Sequence, residues 1–263
     1  MKVGVAGLGA VGREVAKRLV AGIPGLQLAA ISARDHEKAR RIVPDQAVKI
    51  LDAEGLAETC DVIVEGLPPA EFRNFAEPAI DRGRIFVPLS VGKLLENWDL
   101  VERARERGAR ILVPTGALLG LDAVRAAAEG TIHSVTMVTR KPPEGLAGAA
   151  YLVERNISVE NLKEPLKVFD GSAREGARGF PANVNVAAAL SLAGIGPDKT
   201  TLQIWADPTV SRNTHRIDVD ADTVRFSMTI ENVPSENPRT GRVVALSVVA
   251  QLRGLVSELK VGT

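Results

Sequence analysis

The segment from residue 2 to residue 20 constrains the fold of this chain more than any other. A short apolar run, 2–6, leads directly into Gly7-Leu8-Gly9-Ala10-Val11-Gly12, which is a G-x-G-x-x-G pattern. Apolar residues then recur at helical spacing, at Val11, Val15, Ala16 and Leu19. Glycines placed between a buried strand and an amphipathic helix are typical of a dinucleotide-binding turn. The alternative is a structural turn with no phosphate ligand.

Each glycine of this motif has a separate expected role. We expect Gly7 to allow the tight turn, Gly9 to let the backbone approach a pyrophosphate, and Gly12 to let helix and strand pack closely. The backbone N–H groups at the helix start, including those of Ala10 and Val11, would then face the phosphates. We therefore predict that all five residues contact the cofactor.

The end of the second predicted strand bears on the choice of cofactor. This strand, 27–31, precedes Arg34 and Asp35. An acidic side chain about 20 residues beyond the glycines binds the ribose 2′-OH of NAD, whereas an arginine there accommodates the 2′-phosphate of NADP. Because Arg34 and Asp35 are neighbours, the sequence predicts NAD or NADP without choosing between them. Two solvated loop charges are the alternative.

Strands and helices alternate through residue 114. Further strands are predicted at 47–50, 61–66, 84–89 and 109–114, with helices over 70–82 and 94–107. This alternation predicts an α/β fold with a doubly wound parallel sheet, that is, a Rossmann domain over residues 1–115.

Beyond residue 115 the pattern becomes rich in strands. We predict helices over 121–128 and 184–193, and strands over 132–139, 201–206, 217–221 and 224–230, the last two forming a hairpin that turns near Asp222. Residues 116–240 are therefore expected to form a substrate and dimerisation domain, an α+β domain whose mixed or antiparallel sheet has one open face. A last helix, 243–259 within the segment 241–263, is expected to pack back on the first domain. Residues 144–178 give no clear pattern.

Composition excludes several classes of function. The formal net charge is +1 and aromatic residues are 3% of the chain, which argues against nucleic acid and against an anionic membrane as partners. No apolar run approaches the length of about 18 residues that spans a bilayer. The N-terminus shows neither the basic region nor the apolar region of a signal peptide, and the opening strand is needed for the fold, so we expect a cytoplasmic protein. Cys60 is the single cysteine, so we expect neither a disulfide nor a metal site.

A dinucleotide domain followed by a half-open sheet domain suggests an oxidoreductase with its substrate in the cleft between the two.

Asn183 and Asn185 enter a predicted helix. Asn183 suits an N-cap, and the Asn185 amide could hold a nicotinamide or its ribose. His215 and Asn213 lie in a polar stretch, 206–215, that leads into a predicted strand. A histidine there is more often structural, but it would also suit proton transfer.

Cations that could bind a substrate carboxylate occur at two places. Arg140 and Lys141 end the first strand of the second domain, and Lys93 follows the fifth strand of the first. Ordinary surface charges are the alternative for Arg140 and Lys141.

Several motifs, taken in order, resemble the L-aspartate dehydrogenase family. They are the glycine motif, Gly116-Ala117-Leu118-Leu119-Gly120-Leu121-Asp122-Ala123, Thr139-Arg140-Lys141-Pro142-Pro143, Phe180-Pro181-Ala182-Asn183-Val184-Asn185-Val186-Ala187-Ala188, Ala206-Asp207-Pro208 with Asn213-Thr214-His215, and Glu231-Asn232-Val233-Pro234-Ser235-Glu236-Asn237-Pro238. The resemblance spans almost the whole chain and is weakest over 144–178. The later motifs are more specific than the glycine motif, which many dehydrogenases share.

The resemblance implies an activity and a set of site residues. It implies oxidation of L-aspartate with NAD or NADP to iminosuccinate, which hydrolyses to oxaloacetate and ammonia or supplies the pyridine ring of NAD. It places the catalytic histidine at His215 and cofactor contacts at Asn185 and Ala117. A substrate with two carboxylates requires cations, so Arg140, Lys141 and Lys93, with Asn183 and Asn213, are the candidate substrate ligands.

Two other functions remain open at this point. One is a different two-domain NAD(P)-dependent reductase that acts on an imine or a sugar. The other is a dinucleotide-binding sensor that is not an enzyme. In each case the open sheet face favours a homodimer.

Overall fold

The structure, a computed structural model, describes residues 1–180, 185–233 and 241–262. The chain divides into two compact units. The first unit comprises Met1–Pro114 and Val244–Lys260, and the second comprises Thr115–Val243 and the terminal residues from Val261. In the part of the chain described, no helix is both long and apolar enough to cross a membrane.

The first unit is built on a parallel sheet with helical crossovers. Its elements are β1 (Lys2–Ala6), α1 (Ala10–Val20), β2 (Gln27–Ser32), α2 (His36–Ile42), β3 (Lys49–Ile50), α3 (Ala53–Thr59), β4 (Val62–Glu65), α4 (Phe72–Asp81), β5 (Ile85–Pro88), α5 (Val91–Glu96), α6 (Asp99–Arg107) and β6 (Arg110–Ile111). The strand order is β3-β2-β1-β4-β5-β6, with every pair parallel. The predicted doubly wound parallel sheet is confirmed.

The central strands are buried because helices cover both faces of the sheet. β4 is buried along its whole length, and so is β1 after its first residue. Such strands read as continuous apolar runs, which is why the sequence predicts them well. The crossover helices α2 and α3 were not predicted. Asp35 and Asp52 cap them by accepting hydrogen bonds from the backbone N–H groups of Lys38 and Gly55.

The second unit is built on a mixed sheet. Its elements are α7 (Leu121–Ala128), β7 (Ile132–Lys141), α8 (Ala150–Glu154), β8 (Leu166–Ser172), α9 (Ala173–Gly179), α10 (Asn185–Ala193), β9 (Thr201–Ala206), β10 (Asn213–Ala221) and β11 (Arg225–Asn232). The strand order is β11-β10-β7-β9-β8, in which only the β7–β9 pair is parallel. The predicted mixed sheet and its hairpin near Asp222 are confirmed.

The final helix, α11 (Val243–Gly254), belongs to the core of the first unit. Its buried stripe lies in one apolar cluster with β1, α1 and β2, and consists of Ala245, Val248, Val249 and Leu252. The helix ends at Gly254, so the predicted extension to Leu259 is wrong.

The two faces of the second sheet differ. Helices cover one face: a Cβ added at Gly176 of α9 would meet Leu202, and one added at Gly194, just after α10, would meet Val124 of α7 and Val135. The other face carries a shallow concavity lined by Val138, Arg140, Gln203, Trp205, Thr214, Arg216 and Thr229.

Four predicted elements have different bounds in the structure. The helix predicted over 94–107 is two helices, because the Asn97 side chain donates to the Lys93 carbonyl and ends α5. β3 and β6 keep only two residues each of the predicted 47–50 and 109–114. β10 begins at Asn213 rather than at Ile217, which moves His215 from a polar turn into the strand.

β8 was missed because it does not alternate. The register with β9 shifts between Lys167 and Phe169, and the adjacent residues Val168 and Phe169 are both buried. Such a β-bulge hides the period of two on which strand prediction rests.

Candidate active site

The glycine motif forms the turn between β1 and α1. Gly7 has φ +88 and donates its N–H to the Ser32 carbonyl at 2.8 Å. A Cβ at Gly12 would lie 1.9 Å from the Gly7 carbonyl oxygen. Gly7 therefore requires the left-handed conformation and Gly12 the close packing, as the motif predicts.

Gly9 differs from its neighbours because its position is open. It is exposed, and a Cβ added there would meet nothing within 4 Å. The first turn of α1 has neither a side-chain cap nor an acidic residue. The N–H groups of Ala10, Val11 and Gly12 begin the helix, where backbone donors lack an intrahelical acceptor. An open, uncapped helix start with the positive end of its dipole fits a pyrophosphate.

Arg34 and Asp35 follow β2, and both are exposed. Asp35 Oδ1 accepts the Lys38 N–H at 2.9 Å, so one carboxylate oxygen caps α2. Both side chains lie beyond the carboxyl end of the strand beside β1, the position from which a ribose or its phosphate is read.

His215 lies near the start of β10, on the helix-covered face of the second sheet. Its side chain is 3% exposed, and its Nδ1 lies 3.1 Å from Thr139 Oγ1 of β7. His215 and Thr139 are register partners in the antiparallel β7–β10 pair. The contact therefore follows from strand pairing rather than from a flexible loop.

This environment keeps the imidazole neutral. Burial, reinforced by the positive charge of Lys141, lowers the pKa of His215 from 6.5 to about 3. Burial disfavours the charged form, and a neighbouring cation acts in the same direction.

The neighbouring cations Arg140 and Lys141 point to opposite faces of the second sheet, because side chains alternate along a strand. Lys141 is 3% exposed and shares the face of Thr139 and His215. Arg140 pairs with Asp207 at 2.9 Å and stacks on Trp205, on the other face. The structure thus brings Lys141 to His215 but does not bring Arg140 there.

Two asparagines meet at the same end of the sheet. Asn213 is buried, lies on the face of His215, and pairs in register with Asn232 of β11. Asn232 is also buried, and its amide donates to the Ala117 carbonyl at 2.9 Å. Asn232 therefore ties the loop before α7 to this end of the sheet.

Asn185, Asn183 and Lys93 are the other predicted ligands. Asn185 is the first residue of α10 and is half-buried. Asn183 lies outside the described residues. Lys93 lies in α5 of the first unit, where its Nζ pairs with Glu96 at 2.6 Å.

Sequence reasoning missed Thr139 and Asn232 as individual residues. Both stand inside the quoted motifs, Thr139 immediately before Arg140 and Asn232 within 231–238. Their role depends on which strands are neighbours, and spacing along the chain does not contain that information.

Comparisons with known proteins agree with the two-part fold. The family model described as "Homoserine dehydrogenase, NAD binding domain" matches residues 7–114, and the one described as "Aspartate dehydrogenase, C-terminal" matches residues 122–255. A crystal structure of aspartate dehydrogenase from Thermotoga maritima superposes with a TM-score of 0.76 at 20% identity, covering 100% of this chain and 99% of that chain. That likeness confirms the two-part fold.

Two named relatives are much closer in sequence. L-aspartate dehydrogenase of Bradyrhizobium diazoefficiens is 55% identical over 265 residues, which cover 100% of this chain and 94% of that protein. L-aspartate dehydrogenase 3 of Bordetella bronchiseptica is 52% identical over 264 residues, which cover 99% of this chain and 97% of that protein. With an NAD-binding domain in its first part and full-length identity above half, this chain belongs to the L-aspartate dehydrogenase family.

Proposed function

We propose that this chain oxidises L-aspartate with NAD or NADP, giving iminosuccinate that hydrolyses to oxaloacetate and ammonia, or runs the reaction in reverse. The observation that carries the proposal is the neutral, buried imidazole of His215 held by Thr139 beside the buried ammonium of Lys141. Oxidation of an amino diacid requires a proton acceptor for its ammonium group and a cation that binds a carboxylate.

The cofactor is assigned to the glycine turn and its surroundings. Gly7, Gly9 and Gly12 with the N–H groups of Ala10 and Val11 would hold the pyrophosphate. Arg34 and Asp35 would contact the adenosine ribose or its phosphate, and Ala117 and Asn185 are the proposed contacts from the second unit. When bound, the nicotinamide supplies the acceptor for the hydride that leaves the substrate Cα.

His215 is the proposed catalytic residue. Because its pKa is about 3, the imidazole is neutral near pH 7 and has a lone pair to accept a proton. When Nδ1–H donates to Thr139 Oγ1, that lone pair is on Nε2. Nε2 would then take a proton from the substrate ammonium, or from the water that attacks the imine carbon.

Lys141 and Asn213 are the proposed substrate ligands of the second unit. Both lie on the face of His215, and both are buried. A substrate carboxylate bound at Lys141 would offset its charge and raise the pKa of the imidazole, since an anion favours the imidazolium. Binding of the diacid would thus strengthen the base when it is needed. Arg140, paired with Asp207 on the other face, is a weaker candidate, as is Lys93 with its Glu96 partner.

The products also suggest a place in metabolism. Iminosuccinate carries an imine carbon and two carboxylates, so an enzyme that condenses it into a pyridine ring would have to capture it before water does. We propose that the chain works in the cytoplasm, supplies such a reaction, and acts without nucleic acid or membrane partners.

A substrate assay tests the proposal directly. Purified protein is mixed with L-aspartate and NAD, then with L-aspartate and NADP, and the absorbance of the reduced cofactor is followed. D-aspartate, L-glutamate and L-alanine serve as controls for the second carboxylate and the stereocentre. Reduction of the cofactor with L-aspartate, but with none of the three control amino acids, supports the proposal. A cyclic amine and a sugar are tested in the same way: reduction only with one of these would indicate a different reductase, and cofactor binding without any turnover would indicate a sensor.

We also propose that the protein is a homodimer joined through the open face of the second sheet. This face carries Val138 and Trp205 in a shallow concavity that polar side chains also line. Light scattering should give twice the mass of the chain, and Val138→Glu should give the monomer. A monomeric wild-type protein, or a dimer that this substitution leaves intact, would contradict the proposal.

A further inference from the structure

Glu65 is a fully buried carboxylate that the proposed mechanism does not use. It is the last residue of β4, after the apolar run 62–64, and its exposed fraction is 0%. Burial raises its pKa above the ordinary value. An apolar residue would continue this strand without the cost of burying a carboxylate, so the side chain needs another explanation.

The carboxylate joins two loops. Oε1 accepts the Leu67 N–H at 2.9 Å and the Ser90 hydroxyl at 3.1 Å, and Oε2 accepts the Ser90 N–H at 3.1 Å. Leu67 lies in the loop after β4, and Ser90 lies between β5 and α5. Ser90 precedes the first residue of α5 but makes no side-chain cap there, because its hydroxyl is directed to Glu65.

These loops lie on the side of the sheet where the second half of a dinucleotide extends. The strand order places β2 on one side of β1 and β4 on the other, so the binding crevice opens at the carboxyl ends of β1 and β4. A Cβ at Gly7 would lie 2.6 Å from the Gly66 carbonyl oxygen, so the glycine turn touches the β4 loop. With the adenosine half beside Arg34 and the pyrophosphate at α1, the nicotinamide half would extend over β4 and β5.

We propose that Glu65 is a positioning residue for the nicotinamide half of the cofactor. Its carboxylate holds the loop after β4 and the loop after β5 in one fixed arrangement, on which the nicotinamide ribose and ring lie. The inference rests on the assignment of the cofactor to the glycine turn and does not require aspartate to be the substrate.

Glutamine at this position would break the arrangement while keeping the shape. A carboxylate offers two acceptor oxygens, whereas an amide offers one oxygen and an NH2 group that would face a donor of Leu67 or Ser90. The glycine turn and the adenosine side of the sheet would be unchanged.

The experiment compares two ligands by isothermal titration calorimetry on the full chain. NADH contains the nicotinamide half, whereas ADP lacks both the nicotinamide ribose and the ring. We expect Glu65→Gln to weaken NADH binding by about 10-fold and ADP binding by less than about 2-fold, since a mismatched buried donor and acceptor costs affinity only where the loops contact the ligand. Equal loss for both ligands, or no loss for either, would overturn the proposal.

Two further variants complete the test. Asp61→Asn removes an acceptor at the other end of β4, where Asp61 Oδ2 receives the Lys2 N–H at 2.7 Å, and should leave the ratio of the two affinities unchanged. Ser90→Ala removes one donor to Glu65 and should shift the ratio of the two affinities by about 3-fold, in the same direction as Glu65→Gln.

If Glu65→Gln does not fold, the Ser90→Ala variant decides: an unchanged ratio of the two affinities then counts against Glu65. Loss of aspartate turnover alone would concern the proposed function, because neither ligand measurement involves aspartate.

Discussion

At the scale of single residues, strand pairing decides which side chains can act together. His215 and Thr139 are partners across β10 and β7, whereas Arg140, one residue along the chain, faces the other way. Arg140 and Lys141 are therefore adjacent in sequence but lie on opposite faces of the sheet. Strand pairing, in contrast, brings together His215 and Thr139, which are 76 positions apart in sequence.

Replacing His215 tests its proposed role. His215→Ala should lower kcat with L-aspartate by about 10²–10⁴-fold, the usual contribution of a general acid–base group. NADH affinity should change little, because the glycine turn belongs to the other unit. Steady-state kinetics and calorimetry provide the two readouts.

The matched control is His133→Ala. His133 lies on β7 of the same sheet but is exposed, so this variant should keep wild-type kcat. Wild-type turnover by His215→Ala would remove His215 from the mechanism.

At the scale of secondary-structure elements, the glycines of the β1–α1 turn differ in what they do. Two of them are required by the fold, and one leaves room for a ligand. Gly7 and Gly12 are in contact with backbone, whereas Gly9 faces open space. The same motif therefore combines a folding requirement at Gly7 and Gly12 with a proposed binding role at Gly9, and substitutions can separate them.

Gly9→Ala should weaken NADH binding by about 10–100-fold while leaving thermal stability unchanged, because the added methyl group occupies only the space proposed for the pyrophosphate. Gly12→Ala should lower both stability and binding, since its Cβ would lie 1.9 Å from the Gly7 carbonyl oxygen. Calorimetry and thermal unfolding measure the two effects.

Gly254→Ala serves as the control, because a Cβ there also meets nothing within 4 Å. This variant at the end of α11 should match the wild type in both measurements. If Gly9→Ala also binds NADH as the wild type does, the pyrophosphate is not placed at this turn.

At the scale of the whole molecule, the buried imidazole links stability to pH. The unfolded chain protonates His215 near pH 6.5, whereas the folded chain resists protonation down to about pH 3. Between these values the unfolded state binds more protons, so stability falls as pH falls. The limiting slope is about 1.4 kcal/mol per pH unit.

His215→Gln should remove this slope. Between about pH 6 and pH 4, wild-type unfolding free energy should fall more steeply than that of the variant, by about 1 kcal/mol per pH unit. Urea unfolding at several pH values measures the difference. The contributions of titratable groups present in both proteins cancel in this comparison. One of these groups is Glu65, whose raised pKa makes stability fall as pH rises. Parallel pH profiles would mean that His215 is not buried as a neutral group.

Much of the architecture could be predicted because it depends on local patterns. Continuous apolar runs revealed β1, β4 and β5, and alternation revealed β11. β8 could not be found because its bulge breaks the alternation. The proposed catalytic role of His215 came from resemblance to a family, since its spacing alone favoured a structural role.

By itself the sequence determined the order of strands and helices, the glycine turn and the family, because periodicity and short motifs are properties of neighbouring residues. Only the tertiary structure decided that His215 is buried against Thr139, that Lys141 shares its face while Arg140 does not, and that Glu65 joins two loops. These arrangements depend on which strands pair and in what register. Pairing is set by burial of the whole sheet, and no short stretch of sequence contains it.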